Sequence, residues 1–285
     1  MGNILCCFSF IKWDHFYWLL PWNRLGWTAN LYNKDWNEEA PPPKGTNEYD
    51  MEFYDREGSK ATFAMGSFMR AESRFGIVDG VIRTRLGYTG GVSVNPTYYN
   101  RGDHVEAVDV EYDPSEITYK ELLIHFWNGH DYTVNSKKHP SKIFFQNKQQ
   151  EVVARISRQE RQQYEEINLM AENPWPRKVR TRIKKGRKFW PADPIAQKYT
   201  LSLHQHLLDW VNIETTRQLI WSTLAMRINS VLMGEIERNK VHDFLQPLKL
   251  PEKVYQYIIC QCHYQEHHGA KTRKSGKQRY EEILI

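Results

Sequence analysis

The run at residues 60–72 constrains the fold more than any other part of the sequence. It reads Lys-Ala-Thr-Phe-Ala-Met-Gly-Ser-Phe-Met-Arg-Ala-Glu, a short apolar segment followed by glycine and a stretch without helix breakers. The pattern predicts a strand through Ala64, a turn at Gly66 and a helix beginning at Ser67 or Phe68. The N-terminus of a helix carries a partial positive charge, which lowers the pKa of a cysteine placed there. Here the residue is serine.

Strand-like and helix-like patterns keep alternating downstream. Strands are predicted at 61–64, 81–88, 105–112, 143–145 and 179–183, and helices at 68–75, 118–127 and 147–170. The basic run 184–188 is predicted to be an exposed loop, and the apolar spacing of 219–232 and 254–259 predicts two amphipathic helices. Alternation of this kind is typical of an α/β or α+β sandwich, in which helices pack on a sheet.

Composition indicates a globular protein of the cytoplasm. The chain has 285 residues, 40% of them hydrophobic and 26% charged, and a net charge of +5 that is too small and too spread to predict a nucleic-acid partner. Its four cysteines form two close pairs, at positions 6/7 and 260/262, which is not a disulfide framework. The spacing of Cys260 and Cys262 with the histidines after them matches no recognised zinc pattern, so no metal is predicted.

The N-terminus leaves two interpretations open. Gly2 is a candidate for myristoylation, and Cys6 and Cys7 are candidates for palmitoylation, although Cys6 stands where the usual myristoylation pattern has serine or threonine. Acylation would attach the protein to the cytoplasmic face of a membrane, and two acyl chains would hold it stably. The other interpretation is an unmodified apolar N-terminus whose aromatic residues pack on the folded domain.

Composition shifts along the chain predict four parts. Residues 1–55 form an aromatic-rich segment ending in a proline-containing linker, and residues 56–211 form the main domain. Residues 212–265 are predicted to be a helical extension packed on that domain. Residues 266–285 are a basic tail, poor in apolar side chains and predicted to be disordered.

Several motifs carry a family resemblance. Residues 66–72, Gly-Ser-Phe-Met-Arg-Ala-Glu, resemble the G-C-F-W-G-x-E signature of the A-type peptide methionine sulfoxide reductases. Matching blocks follow in order at 80–91, 95–98, 102–108, 112–114, 122–127 and 130–131, and 189–199 is similar to a late block that is altered at 194–196. The chain is identified as a divergent member of this family. The resemblance implies a mixed sheet in a two-layer α/β core, and repair of oxidised methionine in proteins as the family activity.

The resemblance also implies a set of site residues. Phe68 corresponds to the phenylalanine that holds the substrate methyl group, beside Gly66. Met69 replaces the tryptophan of the signature, which keeps apolar bulk but loses a flat wall. Glu106 corresponds to the acid that protonates the sulfoxide oxygen, and Tyr98 to a phenol aimed at the same oxygen. The family loop expected after residue 131 is shorter here and supplies no clear aspartate or tyrosine equivalent.

Ser67 stands at the position of the family's reactive cysteine. In the family reaction a thiolate attacks the sulfoxide sulfur and becomes a sulfenic acid, which a second thiol resolves before thioredoxin or a dithiol reduces the disulfide; no other cofactor is implied. A serine hydroxyl has too high a pKa for this attack, and accepting the oxygen atom would make it a peroxide. We therefore expect the reaction to be lost unless Cys260 or Cys262 reaches the pocket.

Two functional hypotheses from different classes follow. The first is a peptide-methionine (S)-S-oxide reductase by descent with residual or rerouted activity, whose partners are thioredoxin and proteins containing methionine sulfoxide. The second is a non-catalytic module that binds methionine or methionine sulfoxide, in one version at a membrane surface. A hydrolase using Ser67 and Glu106 is disfavoured, because the sequence places no histidine base beside them.

Overall fold

Six strands form one mixed sheet in the computed structural model, which describes residues 47–137, 139–169 and 177–262. The strands are β1 (Ser59–Ala64), β2 (Val81–Thr89), β3 (Val105–Tyr112), β4 (Lys142–Phe145), β5 (Arg182–Lys185) and β6 (Trp190–Pro191). Their order is β5-β4-β1-β3-β2-β6. Neighbours are antiparallel, except that β4 and β5 are parallel. The predictions for Gly2, Cys6, Cys7 and the basic tail concern residues outside these ranges.

One group of helices packs on the sheet, and a second group follows in the C-terminal part of the chain. They are α1 (Glu48–Met51), α2 (Phe68–Phe75), α3 (Tyr119–Asn128), α4 (Lys148–Leu169), α5 (Tyr199–Ser202), α6 (Gln205–Trp210), α7 (Thr216–Trp221), α8 (Thr223–Leu232), α9 (Arg238–Leu245) and α10 (252–262), with 3₁₀ turns at Pro194–Ala196 and Gln246–Leu248. Within the described ranges, none of these helices is both long and apolar enough to cross a bilayer.

The main core lies between one face of the sheet and helices α2 and α3. Phe63 of β1 is fully buried, and its ring lies 5.2 Å from that of Phe75 in α2 and 5.3 Å from that of Phe126 in α3. Alternate residues of β1 point to this face. This explains why apolar residues of the strand alternate with polar ones. The predicted two-layer α/β sandwich with a mixed sheet is confirmed.

The C-terminal helices form a second apolar cluster that is fastened to the first. Arg227 of α8 donates from Nη1 to the carbonyls of Gly76 and Val78, at 3.1 and 3.0 Å, just beyond the end of α2. The Thr223 hydroxyl donates to the carbonyl of Ile82 in β2 at 2.7 Å. The predicted helical extension is confirmed, whereas the domain boundaries stay predictions.

Three local predictions were wrong. The residues 219–232 do not form one helix, because Ser222 is extended (φ −72°, ψ 116°) and caps α8 by accepting from Ala225 N–H at 2.8 Å. The strand predicted at 179–183 begins instead at Arg182, where pairing with β4 sets its register. Lys184 and Lys185 therefore lie in β5 rather than in an exposed loop.

A buried ion pair joins α2, β2 and the start of the extension. The ammonium of Lys198 lies 3.0 Å from Glu72 Oε1, and both side chains are almost fully buried. Lys198 also donates from its backbone N–H to Glu72 Oε2 at 2.9 Å, from a left-handed conformation with φ 44°. The Thr84 hydroxyl donates to the same carboxylate, and the ammonium donates to the carbonyls of Thr84 and Ile220. Burial lowers the pKa of Lys198, and the carboxylate of Glu72 opposes that shift.

Candidate functional site

The turn between β1 and α2 leaves an exposed hydroxyl at the start of a helix. Gly66 adopts φ 83°, a conformation that favours glycine, and a Cβ added there would meet no atom within 4 Å. Ser67 is the N-cap of α2, but its side chain is exposed and makes no capping hydrogen bond. The first internal hydrogen bond of the helix runs from Ala71 N–H to the Ser67 carbonyl. The turn and the helix start at Phe68 are as predicted.

The strand order brings three chain segments together at this turn. Phe63 pairs with Val108 of β3 on one side and with Ile143 of β4 on the other. Extending both antiparallel registers by two residues brings Met65 level with Glu106 and with the residue just before β4. Side chains from the start of β3 and from the loop before β4 therefore flank the turn.

Glu106 is a buried carboxylate that is bonded to an arginine on one side and faces a histidine on the other. Its Oε1 lies 2.8 Å from Arg101 Nη1, and its Oε2 lies 3.7 Å from Nδ1 of His139, with only 7% of the carboxylate side chain exposed. Because β1 lies between β3 and β4, the approach of His139 to Glu106 passes over the end of β1, where Gly66 and Ser67 leave the sheet. The predicted acid therefore lies at the end of the sheet from which the turn to Ser67 leaves, and its role stays a prediction.

Phe68 and Tyr88 form the apolar wall of the site. Phe68 is 2% exposed, its ring lies 6.0 Å from that of Tyr88, and Tyr88 pairs with Glu106 across β2 and β3. The Tyr88 hydroxyl is buried and has no hydrogen-bond partner among the described residues. Burial raises the pKa of Tyr88, and the nearby carboxylates of Asp193 and Glu106 add to this effect. The phenol is therefore a neutral donor without an acceptor.

Tyr98 lies on the rim rather than in the buried part of the site. Its side chain is 40% exposed, and its backbone N–H donates to Asp193 Oδ2 at 3.4 Å. Three further apolar side chains of this loop are about three-quarters exposed: Val92, Val94 and Tyr99. Met69 is half-buried against the main core. The binding roles assigned to these residues from the resemblance stay predictions.

Sequence reasoning missed three residues of the site. The sequence places Tyr88 only at the end of a predicted strand, and its pairing with Glu106 becomes visible once β2 and β3 are in register. Arg101 lies five residues before Glu106, a spacing that could have suggested an ion pair. His139 lies in the shortened loop and carries no signal that sequence alone would reveal.

Hydrolysis by Ser67 gains little from the presence of His139. A hydroxyl nucleophile needs a base within hydrogen-bonding reach. Among the described residues, the Ser67 hydroxyl has no hydrogen-bond partner, and the nearest carboxylate contact of His139 is long. The arrangement is better suited to holding a small polar ligand above the turn than to activating the hydroxyl.

A half-buried histidine beside this site predicts a pH-dependent stability. His130 contacts the Phe126 carbonyl through Nδ1 at 3.0 Å and the Ser141 hydroxyl through Nε2 at 2.7 Å. Burial lowers its pKa from 6.5 to about 4, with Arg74 adding to the shift and the Phe126 carbonyl and Asp131 opposing it. The unfolded chain therefore binds more protons between these values, so stability is present above 6.5 and is lost as the pH falls towards 4.

We expect this histidine to account for about 3 kcal/mol of the stability lost over that pH range. The measurement is the free energy of unfolding in urea, taken at several pH values for the unmodified protein and for His130→Gln. The curve of the variant should be flatter below the ordinary pKa of histidine. Parallel curves for the two proteins would contradict the assignment.

Fold and site define an α/β protein with an exposed serine at a helix N-terminus, and with a buried aromatic pair and a buried carboxylate at the same end of the sheet. A family model described as peptide methionine sulfoxide reductase matches residues 59–223. The peptide methionine sulfoxide reductase of Drosophila melanogaster is 35% identical over 214 residues, which cover 73% of this chain and 81% of that protein. This chain belongs to the peptide methionine sulfoxide reductase family.

A second relative agrees with this membership. Peptide methionine sulfoxide reductase A5 of Arabidopsis thaliana is 36% identical over 181 residues, covering 61% of this chain and 68% of that protein. Among solved structures, methionine sulfoxide reductase A of Corynebacterium diphtheriae aligns over 60% of this chain and 90% of that chain, with 22% identity and a TM-score of 0.47.

Proposed function

We propose that this family member has lost the thiol-dependent reductase reaction and binds methionine sulfoxide in proteins without reducing it. The observation that carries the proposal is Ser67, an exposed hydroxyl at the helix N-terminus where the resemblance puts the attacking thiolate. A hydroxyl does not take up the sulfoxide oxygen, because oxygen lacks the accessible oxidation states of sulfur. Thioredoxin, the reductant implied by the resemblance, would then have no disulfide to reduce.

The remaining described cysteines do not favour a rerouted reaction. Cys260 is exposed and Cys262 is half-buried on α10, where Cys262 packs against the second apolar cluster. Phe68, next to the serine, belongs to the first cluster. Burial also raises the pKa of Cys262, which reduces its thiolate fraction and hence its reactivity. These facts support loss of the reaction over residual activity.

The proposed recognition of the sulfoxide depends on an apolar wall and on a hydroxyl group that has no acceptor. A buried hydroxyl without an acceptor costs about 1–3 kcal/mol, which a ligand oxygen would recover. The Tyr88 hydroxyl is such a donor, and Phe68 beside it offers contact for a methyl group. A sulfoxide presents a methyl group and a strong acceptor oxygen on the same sulfur, whereas a thioether lacks the oxygen. The exposed apolar rim would contact the peptide on either side.

We expect a peptide containing methionine S-sulfoxide to bind at least about tenfold more tightly than its unoxidised form. Isothermal titration calorimetry on the full chain measures both affinities. Tyr88→Phe should abolish the preference with little change in fold. Tyr119→Phe is a matched control, because its hydroxyl is also buried in the main core without a partner among the described residues.

Two outcomes would contradict the proposal. Equal affinity for the two peptides, or a preference that survives Tyr88→Phe, would contradict the proposed recognition of the sulfoxide by the Tyr88 hydroxyl. Reduction of the sulfoxide peptide by the unmodified protein with dithiothreitol would contradict the proposed loss of reductase activity.

A further inference from the structure

A cavity of about 330 Å³ lies on the sheet face opposite the Ser67 site. Lys60 and Thr62 of β1 line it, and these residues alternate with Phe63, which points into the main core. Phe144 and Phe189 form apolar walls. The volume is larger than a single inorganic anion needs and lies at the lower end of small-molecule sites, which range over about 300–1,000 Å³.

The charge lining this cavity is strongly positive. Four cations contribute to the lining: Lys60, Arg85, Arg187 and Lys188. Among the described lining residues Asp109 is the one carboxylate, and both of its oxygens are occupied. Its Oδ1 accepts from the Thr62 hydroxyl at 2.8 Å, and its Oδ2 accepts from Arg85 Nη2 at 3.0 Å. Arg85 and Asp109 neutralise each other, so three cations remain uncompensated.

None of these three cations is paired with a negative charge among the described residues. The guanidinium of Arg187 donates to the Gly91 carbonyl at 3.4 Å, and the ammonium of Lys188 lies 3.8 Å from the centre of the Trp190 ring. Neither partner carries a negative charge. Within the described part of the chain, no carboxylate lies within ion-pair distance of either residue or of Lys60.

More cations continue along the same face. Lys142 of β4 pairs with Arg182 of β5, and Phe144 pairs with Lys184, so all four side chains point to the side of the cavity. Burial lowers the pKa of Lys142, the positive charges of Arg182 and Lys184 add to that shift, and the carboxylate of Asp103 opposes it. Such crowding of like charges is unfavourable unless an anion relieves it. In the sequence these cations are dispersed between residues 60 and 188, so no local cluster indicates a basic site.

We propose that this cavity binds a phosphate monoester. Such a group carries a charge of about −1.5 to −2 near neutral pH and several acceptor oxygens, which matches a cluster of uncompensated lysines and arginines. The walls formed by Phe144 and Phe189 accommodate the organic body that the phosphate esterifies, and the volume leaves room for it. The ester is either a soluble small molecule or the phosphorylated headgroup of a lipid.

The test compares two double charge reversals in the full chain. Lys60→Glu with Arg187→Glu changes two exposed lining residues, neither of which takes part in an ion pair with a described residue. Lys120→Glu with Lys240→Glu is the matched control, because it changes net charge equally at two exposed helical positions away from the cavity. Circular dichroism verifies the fold of both, and Lys188→Glu replaces the first pair if that pair misfolds.

Two arms distinguish the sources of the ligand. Calorimetric titration with inorganic phosphate and with adenosine monophosphate tests the soluble source, and the ester should bind more tightly than phosphate alone. Sedimentation with phosphatidylcholine vesicles, with and without a phosphatidylinositol monophosphate, tests the lipid source.

In whichever arm binding occurs, the lining variant should weaken it by at least about tenfold and the control by less than about twofold. Absence of binding in both arms would overturn the proposal, and so would equal weakening by the two double variants. The outcome is independent of the proposed sulfoxide site, whose residues these substitutions leave unchanged.

Discussion

Ser67→Cys is expected to reduce a peptide methionine S-sulfoxide in the presence of dithiothreitol, at a rate about a hundredfold or more above that of the unmodified protein. The new thiol would begin α2, where the helix field favours the thiolate over the thiol. The buried carboxylate of Glu106 and the wall formed by Phe68 would already be in position. Measurement of peptide reduction by mass spectrometry, with the methionine R-sulfoxide as a second substrate, gives both rate and stereochemistry.

Matched variants make this expectation specific to the site. Ser67→Ala should remain inactive, and adding Glu106→Gln to Ser67→Cys should lower the rate. Glu111→Gln is the control for that second change, since Glu111 lies on the same strand and is also paired with an arginine, at 3.0 Å. A folded Ser67→Cys protein without turnover would argue against a preserved pocket.

Lys198→Met is expected to lower the free energy of unfolding by about 3–5 kcal/mol. The substitution leaves the Glu72 carboxylate buried with its ammonium partner removed, and the cost of an uncompensated buried charge dominates. Adding Glu72→Gln should recover part of the loss, because the neutral amide has no charge to solvate. Urea denaturation followed by tryptophan fluorescence measures all three proteins.

An exposed ion pair provides the comparison for this measurement. Lys249 Nζ lies 3.2 Å from Glu52 Oε1, with both side chains more than half exposed. Lys249→Met should cost less than about 1 kcal/mol, because solvent screens such pairs. If the two lysine substitutions had equal effects, burial would not be the reason for the strength of the Lys198 network.

Local patterns predicted most strands and helices because the relevant forces act over a few residues. The helix Phe68–Phe75 and the strand Val105–Tyr112 have the predicted bounds, the first after a glycine turn and the second from regular alternation. The break at Ser222 escaped prediction, because the apolar spacing continues across it while a side-chain cap starts a new helix. The position of β5 depends on its pairing with β4, which no local pattern contains.

The candidate site was predictable where it is continuous in sequence. Gly66, Ser67 and Phe68 are adjacent, and the resemblance supplied Glu106. The approach of His139 to Glu106 depends on the strand order, which places β1 between their two segments. The basic cavity escaped prediction for the same reason, since its cations come from separate strands and one loop.

The hydrogen bonds from Arg227 to the carbonyls after α2 have a mechanical consequence. Helix α2 has eight residues and is therefore about 12 Å long. Ser67 lies at one end, and the two hydrogen bonds from Arg227 lie at the other. A helix this short transmits a displacement from one end to the other. A displacement of α8 would therefore reach the C-terminal end of α2 through these two hydrogen bonds, on the helix that carries Ser67 at its other end.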